Sequence, residues 1–166
     1  MPTSVNPVPA GFHTVTPSLT VKRAAEAIEF YKKALGAQEL MRMANPDGTI
    51  GHAEIKIGDS IIFIADEMPM AGCPQSPQRL GGITGTLYLY VPDVDGAFQR
   101  AVAAGGKAMG PVSDMFWGDR HGSFVDPFGH TWSLSTHVRD VSQEELQEGA
   151  KKFAAQMAEH AQRKSA

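Results

Sequence analysis

The sequence predicts an α+β fold built from two tandem β-α-β-β-β units. Three observations predict it: the second half of the chain repeats the apolar and turn positions of the first, each half opens with a strand pattern followed by a helix pattern, and a separate amphipathic segment closes the chain. With 166 residues, 42% of them hydrophobic, the chain is long enough for one domain with a substantial core.

The internal repeat sets the boundaries of the two units. A shift of 70 positions lays the second half over the first without a gap, so that Thr16 falls on Thr86 and Leu19 falls on Leu89. The shared order of apolar and turn residues predicts one domain over residues 13–136, with units at 13–66 and 83–136. The Pro- and Gly-rich stretch 67–82 is the predicted linker.

The first unit shows its elements in order. Thr14–Val21 alternates polar and apolar residues, as a half-buried strand does. Arg23–Leu35 has apolar residues at helical spacing, and Gly36 follows as a helix stop. The remaining strands are predicted at Gln38–Met43, Ile50–Ile57 and Ser60–Ala65.

The second unit repeats this order, and a C-terminal helix follows it. The predicted elements are strand Thr84–Val91, helix Asp93–Ala104, and strands near Lys107–Met109, His121–Val125 and Thr131–Ser135. Ser142 and Glu145 form a capping-box pattern that starts an amphipathic helix over 141–164. Because its apolar stripe needs a partner surface, we expect a homodimer. The stripe consists of Leu146, Ala150, Phe153 and Met157.

Composition and charge exclude several functions. Fifteen basic against 18 acidic residues, with no basic cluster, give no footprint for nucleic acid. The longest apolar run, Ile61–Ala65, is far too short to cross a membrane, and the N-terminus lacks a secretion signal, so we expect a cytoplasmic protein. A single cysteine, Cys73, excludes an internal disulfide.

Strand alternation predicts which side chains face a cleft. Val15, Ile55 and Leu87 belong to the apolar sets that should contact the helices. The opposite faces are polar and aromatic, which favours a ligand cleft over plain solvent exposure. The side chains expected to share that cleft are Thr16, His52, Glu54, Phe63, Thr86, Tyr88 and Ser133.

Two short patterns carry candidate chemistry. His52 and Glu54 share one strand face, so they form either an acid–base or metal-binding pair or a surface polar pair. In Phe116–Arg120, either the aromatic rings and Arg120 close over a carboxylate or phosphate, or Trp117 packs on a sheet edge and Arg120 stabilises a turn with its neighbour Asp119.

The stretch from Val21 to Gly36 and the closing Asp126-Pro-Phe-Gly-His-Thr-Trp132 resemble the vicinal oxygen chelate superfamily, over about residues 13–136. That superfamily includes glyoxalase I, bleomycin-resistance proteins and extradiol dioxygenases. Gly51–Glu54, Asp114–Arg120 and Thr136-His137 resemble a subgroup of glyoxalase-like proteins, some once labelled ubiquinone methyltransferases. The resemblance implies two units whose sheets form a partly closed barrel around a cleft, often built across two chains.

The resemblance also locates the family's metal ligands. The corresponding positions here are Thr16, Phe63, Thr86 and Ser133. A divalent metal of this family wants imidazole or carboxylate donors, and these four residues supply none. We therefore expect no metal and no cofactor.

The sequence thus predicts a protein that binds a small organic molecule in an aromatic, hydroxyl-lined cleft. The alternative is a glyoxalase-like lyase, isomerase or dioxygenase that uses His52 and Glu54 as its catalytic residues. The expected ligand-binding residues are Thr16, Phe63, Thr86, Tyr88, Trp117, Arg120 and Ser133.

Overall fold

The computed structural model describes residues 5–165 and confirms the predicted α+β fold, including the C-terminal helix. The first unit contains β1 (Ser18–Val21), α1 (Ala24–Leu35), β2 (Gln38–Ala44), β3 (Ile50–Ile57) and β4 (Ser60–Asp66). A short helix, α2 (Pro77–Leu80), follows. The second unit contains β5 (Thr86–Tyr90), α3 (Val94–Ala103), β6 (Lys107–Ala108), β7 (Ser113–Asp114), β8 (Asp119–Val125) and β9 (Thr131–His137), and α4 (Gln143–Ser165) closes the described chain.

The two units form two separate sheets with matching topology. The first has the strand order β1-β4-β3-β2, and the second has β5-β9-β8-β6 with β7 also paired to β8. In both sheets the first strand pairs in parallel with the last, and the other pairs are antiparallel. Both sheets are open, so over residues 5–165 no barrel closes within one chain.

Strand register confirms the repeat and corrects it in one strand. Ser18 lies opposite Phe63, and Tyr88 lies opposite Ser133, so both pairs keep the offset of 70. In the third strand of each unit the offset is 69. Ala53 pairs with Ile64 in the first sheet, and Gly122 pairs with Leu134 in the second, whereas a gapless shift of 70 would place Ser123 opposite Leu134. With that offset His52 corresponds to His121. The gapless alignment was wrong in this strand, because a shift of one residue moves every side chain to the opposite face.

The predicted burial of Val15 is also wrong. β1 begins only at Ser18, and Val15 is 79% exposed. Pro17 has no backbone N–H to donate to a strand ladder, although its carbonyl still accepts a hydrogen bond from the Phe63 N–H. Ile55 is buried in the core and Leu87 packs partly buried against it, as predicted.

In each unit, a side chain from the last strand of the sheet accepts a hydrogen bond from the first backbone N–H of the long helix. The Asp66 carboxylate accepts a hydrogen bond from the Ala24 N–H at 2.8 Å, and the Thr136 hydroxyl accepts one from the Val94 N–H at 2.9 Å. These contacts satisfy backbone donors that a helix start leaves unpaired. They also fix each helix to the inner side of its sheet.

The two units pack helix against helix. α1 covers the first sheet and contacts α3, which covers the second sheet, so the layers run sheet, helix, helix, sheet. Tyr31 of α1 crosses between the units: its hydroxyl donates to Asp126 at 2.7 Å, and its ring lies 5.2 Å from that of Trp132. The faces of the sheets opposite the helices therefore point away from the packed helices.

The linker and the C-terminal helix are more ordered than composition suggests. The helix α2 was not predicted; buried Ser76 caps it, and Glu67 accepts hydrogen bonds from both the N–H and the hydroxyl of Ser76. The predicted capping box of α4 forms reciprocally between Ser142 and Glu145. Among the described residues, no helix has the length and apolar character needed to span a membrane.

Candidate functional site: two outward faces

Face 1 is the side of the first sheet opposite α1. It consists of Ser18, Thr20, Met41, Met43, His52, Glu54, Lys56 and Phe63. The His52 ring lies edge-on to Phe63 at 4.8 Å, and its Nε2 lies 3.4 Å from Glu54 Oε1, at the long end of hydrogen-bonding range. The exposed side chains of Met41 and Met43 extend this face. Face 1 therefore combines the apolar side chains of Met41, Met43 and Phe63 with hydroxyls, the side chain of Lys56 and one loose polar pair.

Face 2 is the side of the second sheet opposite α3. It consists of Tyr88, Tyr90, Asp119, His121, Ser123, Ser133, Ser135 and His137, with Trp117 from the preceding loop. Tyr88 and Tyr90 are 45% and 66% exposed. Their rings lie 5.4 Å apart, and the Tyr88 ring stacks on that of His121. This face is a polar surface with an exposed aromatic margin.

Hydroxyls surround His121 on face 2. Its Nδ1 lies 2.9 Å from Ser135 Oγ, its Nε2 lies 3.1 Å from Ser123 Oγ, and Ser123 bonds Ser133 at 2.9 Å. Tyr88 reaches the same Ser135 hydroxyl. Burial lowers the pKa of His121, so the imidazole is neutral at physiological pH. The chain of hydroxyls holds that neutral ring in place.

Asp119 is the centre of a second cluster on face 2. Only 2% of it is exposed, and it accepts hydrogen bonds from His137 Nδ1 at 2.8 Å, Tyr90 Oη at 3.0 Å and Trp117 Nε1 at 3.2 Å. Burial opposes ionisation of Asp119, but these donors outweigh it, His137 foremost, and the pKa of the carboxyl is lowered. The same contact raises the pKa of His137, and the bond from Tyr90 raises the pKa of its phenol.

The remaining predicted site residues lie in different places. Thr16 is half-buried just before β1, and exposed Thr86 opens β5 beside a cavity of about 530 Å³. Trp117 joins face 2, as its contacts show. Arg120 points to the helix side, where it binds both oxygens of Asp95 and one oxygen of Asp114. These carboxylates occupy its guanidinium, which favours a structural role for Arg120.

Within one chain, the two faces do not meet. Among the side chains described over residues 5–159, no hydrogen bond or ring contact joins face 1 to face 2. His52, Glu54 and Phe63 lie together on one face, and Tyr88 and Ser133 lie on the other, so the single cleft expected of them does not form within one chain. Sequence reasoning missed Asp119 and His137, which lie opposite each other at the ends of β8 and β9.

The donor chemistry does not fit the metal that the family resemblance implies. Thr16 and Thr86 offer neutral hydroxyls, Phe63 has no donor atom, and the Ser133 hydroxyl is already bonded to Ser123. No group of three or more His, Cys, Asp or Glu side chains suited to a metal ion occurs in the part of the chain that the structure describes. No step through a metal follows from these residues.

Comparison with known proteins identifies the family. The model of the Glyoxalase/Bleomycin resistance protein/Dioxygenase superfamily matches residues 11–134. The chain belongs to this superfamily. A protein of Mycobacterium tuberculosis strain H37Rv, itself uncharacterized, is 44% identical over 135 residues, which cover 80% of this chain and 79% of that protein.

Solved structures share the fold. A gene product of Arabidopsis thaliana is 26% identical with a TM-score of 0.61, and the match covers 75% of this chain and 98% of that one. A protein from Bacillus cereus described as a putative 3-demethylubiquinone-9 3-methyltransferase has a TM-score of 0.59 at 18% identity, covering 75% of this chain and 99% of that one. At that identity the second likeness shows the fold alone. The superfamily carries many activities on one scaffold, so the fold alone does not determine the function.

Proposed function

We propose that the protein binds a small organic molecule with an aromatic ring, without a metal, in a cleft formed between face 1 of one protomer and face 2 of its partner in a homodimer. The sheet–helix–helix–sheet order carries this proposal, because it leaves both faces uncovered within one chain. A symmetric dimer that pairs unlike faces makes two identical clefts.

The side chains on the two faces support an aromatic ligand. Tyr88, Tyr90 and Trp117 offer rings on face 2, and Phe63 offers one on face 1. Aromatic pairs gain about 0.5–1.5 kcal/mol beyond the area that they bury, and the hydroxyls of face 2 can orient a polar substituent.

Exposed apolar surface supports the dimer. Met41 and Met43 on β2 and Phe153 and Met157 on α4 are all exposed in one chain. Exposed apolar side chains grouped in this way mark protein–protein interaction sites. A partner that covers face 1 also removes the methionines from water.

The first test is the mass of the protein in solution. We expect light scattering at micromolar concentration to give about twice the chain mass of 17.8 kDa. A monomer at that concentration contradicts the proposal.

A mixed dimer tests whether the cleft crosses the two chains. The probe is 8-anilinonaphthalene-1-sulfonate, an aromatic anion whose fluorescence rises in apolar sites. We expect Phe63→Ala and Tyr88→Ala homodimers each to bind it at least about fivefold more weakly, the loss expected for one ring contact. Val102→Ala, an exposed change on α3, is the matched control and should bind normally.

The decisive sample is a heterodimer of one Phe63→Ala chain and one Tyr88→Ala chain, purified through two different tags. In a cross-chain cleft both changes fall into one site, and the other site is wild type, so half of the tight sites return. If each cleft lies within one chain, every site carries one change and no tight site returns.

The alternative function is catalysis by His52 and Glu54, which the 3.4 Å contact between them favours. As an acid–base pair they would act on a ligand bound at face 1. Once a reaction is found, the His52→Gln variant should abolish it if this alternative holds.

A further inference from the structure

The contact between Asp119 and His137 is better organised than any other pair of titratable groups on the two faces. His137 Nδ1 lies 2.8 Å from Asp119 Oδ1, whereas His52 and Glu54 are 3.4 Å apart. A carboxylate only accepts, so His137 donates its Nδ1–H to Asp119, and its Nε2–H donates to Asp140 when the ring is protonated. In the neutral ring that keeps the bond to Asp119, the free electron pair lies on Nε2. Asp119 thus fixes both the tautomer and the ring orientation of His137.

Asp119 is itself held in place. Tyr90 and Trp117 donate to its other oxygen, Oδ2, from β5 and from the loop before β8. Three donors on a carboxylate that is 2% exposed leave it little freedom to turn. An orienting acid behind a histidine is the arrangement that general-base catalysis uses in many unrelated folds.

The reactive nitrogen of His137 remains accessible. The side chain of His137 is 52% exposed, and among the side chains described over residues 5–159 its Nε2 has one partner, Asp140 Oδ1 at 3.1 Å. Asp140 is fully exposed, and a contact of that kind contributes little energy. A ligand atom can therefore displace Asp140 from Nε2 at small cost.

We propose that His137, positioned by Asp119, is a general base that removes a proton from an aromatic carbon acid bound against the rings of Tyr90 and Trp117. This inference rests on the proposed cleft and adds an activity to it. His137 is the catalytic residue, because its Nε2 meets the substrate, and Asp119 is a positioning residue.

The step balances without a co-reactant. With 5-nitrobenzisoxazole as the probe, Nε2 takes the C3 proton, the C–H electron pair becomes the second π bond of a nitrile, and the N–O bond breaks. The electron pair of that bond stays on oxygen as a phenolate, and the imidazolium returns its proton to water. The coloured phenolate gives the rate directly.

The test compares variants of the full-length protein. We expect the wild type to open the probe faster than free imidazole at the same concentration and pH. His137→Gln should lower the rate at least about a hundredfold, the lower end of what a general base contributes. His13→Gln, which removes an exposed histidine 3.7 Å from Asp59, is the matched control and should keep the rate.

Two outcomes overturn the inference while leaving the binding function intact. One is a probe that binds, by competition with 8-anilinonaphthalene-1-sulfonate, but is opened no faster than by free imidazole. The other is a rate that survives His137→Gln or disappears in His52→Gln alone. If neither compound binds, the proposed cleft fails, and the general base fails with it.

The pH profile tests the positioning role of Asp119. The titratable groups around His137 are Asp119 on β8 and Asp140 in the loop before α4, with Tyr90 and His121 beyond Asp119. Because Asp119 raises the pKa of His137, the wild-type rate should rise with pH through a midpoint above 6.5. Asp119→Asn should move that midpoint to lower pH, and an unchanged midpoint contradicts the positioning role.

Discussion

Face 1 and face 2 occupy corresponding positions in the two repeats but have opposite physical character. On face 1, methionines and a phenylalanine surround one loose His–Glu contact. On face 2, nearly every polar side chain already has a partner in the same face. The repeat thus provides one face with flexible apolar side chains and few internal contacts, and a second face whose polar side chains are already hydrogen-bonded to one another. A cleft made of one of each combines tolerance of ligand shape with fixed polar groups.

The largest expected effect tests why the two faces point apart. Tyr31→Ala removes a fully buried ring between the units together with its bond to Asp126, and we expect a loss of about 3–5 kcal/mol in the free energy of unfolding. Tyr31→Phe keeps the ring and should cost about 1–2 kcal/mol. Urea unfolding followed by circular dichroism measures both.

The exposed change Val102→Ala on α3 serves as the control and should stay within about 0.5 kcal/mol of the wild type. If Tyr31→Ala is equally mild, the helix–helix packing does not hold the units in this orientation.

The second prediction contrasts the two faces directly. Asp119→Ala leaves His137, Tyr90 and Trp117 without their shared acceptor, and we expect it to cost about 2 kcal/mol. Glu54→Ala on face 1 breaks one long contact and should cost less than about 1 kcal/mol. Thermal and urea unfolding of the two variants give the comparison.

Asp140→Ala is the control within the same cluster, because it removes the exposed partner of His137 and should leave the free energy of unfolding unchanged. Equal losses from Asp119→Ala and Glu54→Ala would remove the contrast between the faces.

The smallest effect concerns the two histidines of face 2. Nuclear magnetic resonance titration should give His121 a pKa below 6.5, because of burial, and His137 a pKa above 6.5, because of Asp119. The neutral form of His121 therefore stabilises the fold above pH 6.5, and this is lost as the pH falls through its lowered pKa. Protonation of His137 stabilises the fold below pH 6.5, and this is lost as the pH rises through its raised pKa.

If the pKa of His137 is the same in the Asp119→Asn and wild-type proteins, the carboxylate does not control this ring. His13, exposed and 3.7 Å from Asp59, provides the reference resonance.

The sequence predicted the order of elements well because that order depends on local patterns. Alternation and helical spacing identified β3 and α1, and the repeat identified their counterparts. The exact start of each strand and its register with its neighbours were less predictable. A single proline delays β1 to Ser18, and a one-residue change of offset moves β8 relative to β3, and both shifts depend on pairing partners that lie far away in the chain.

The candidate site was predictable only in part for the same reason. His52 and Glu54 are neighbours in one strand, so the sequence alone brings them together. Asp119 meets Tyr90 and His137 through the register of three strands, which no short motif encodes. Arg120 could not be separated from a ligand-binding role until Asp95, 25 residues away, was placed beside it.

Gly149 allows helix α4 to pack closely against Phe116, which in turn contacts Trp117 of face 2. A Cβ at this position would lie 2.6 Å from the Phe116 ring, and that ring packs edge-on against Trp117 at 5.0 Å. Any larger residue must therefore push α4 away from Phe116, the ring on which Trp117 packs. Helix α4 lies outside residues 11–134, which match the family. The fluorescence of Trp117 can then report on the position of α4, and substitutions at Gly149 offer a way to alter the proposed cleft from a helix outside the matched region.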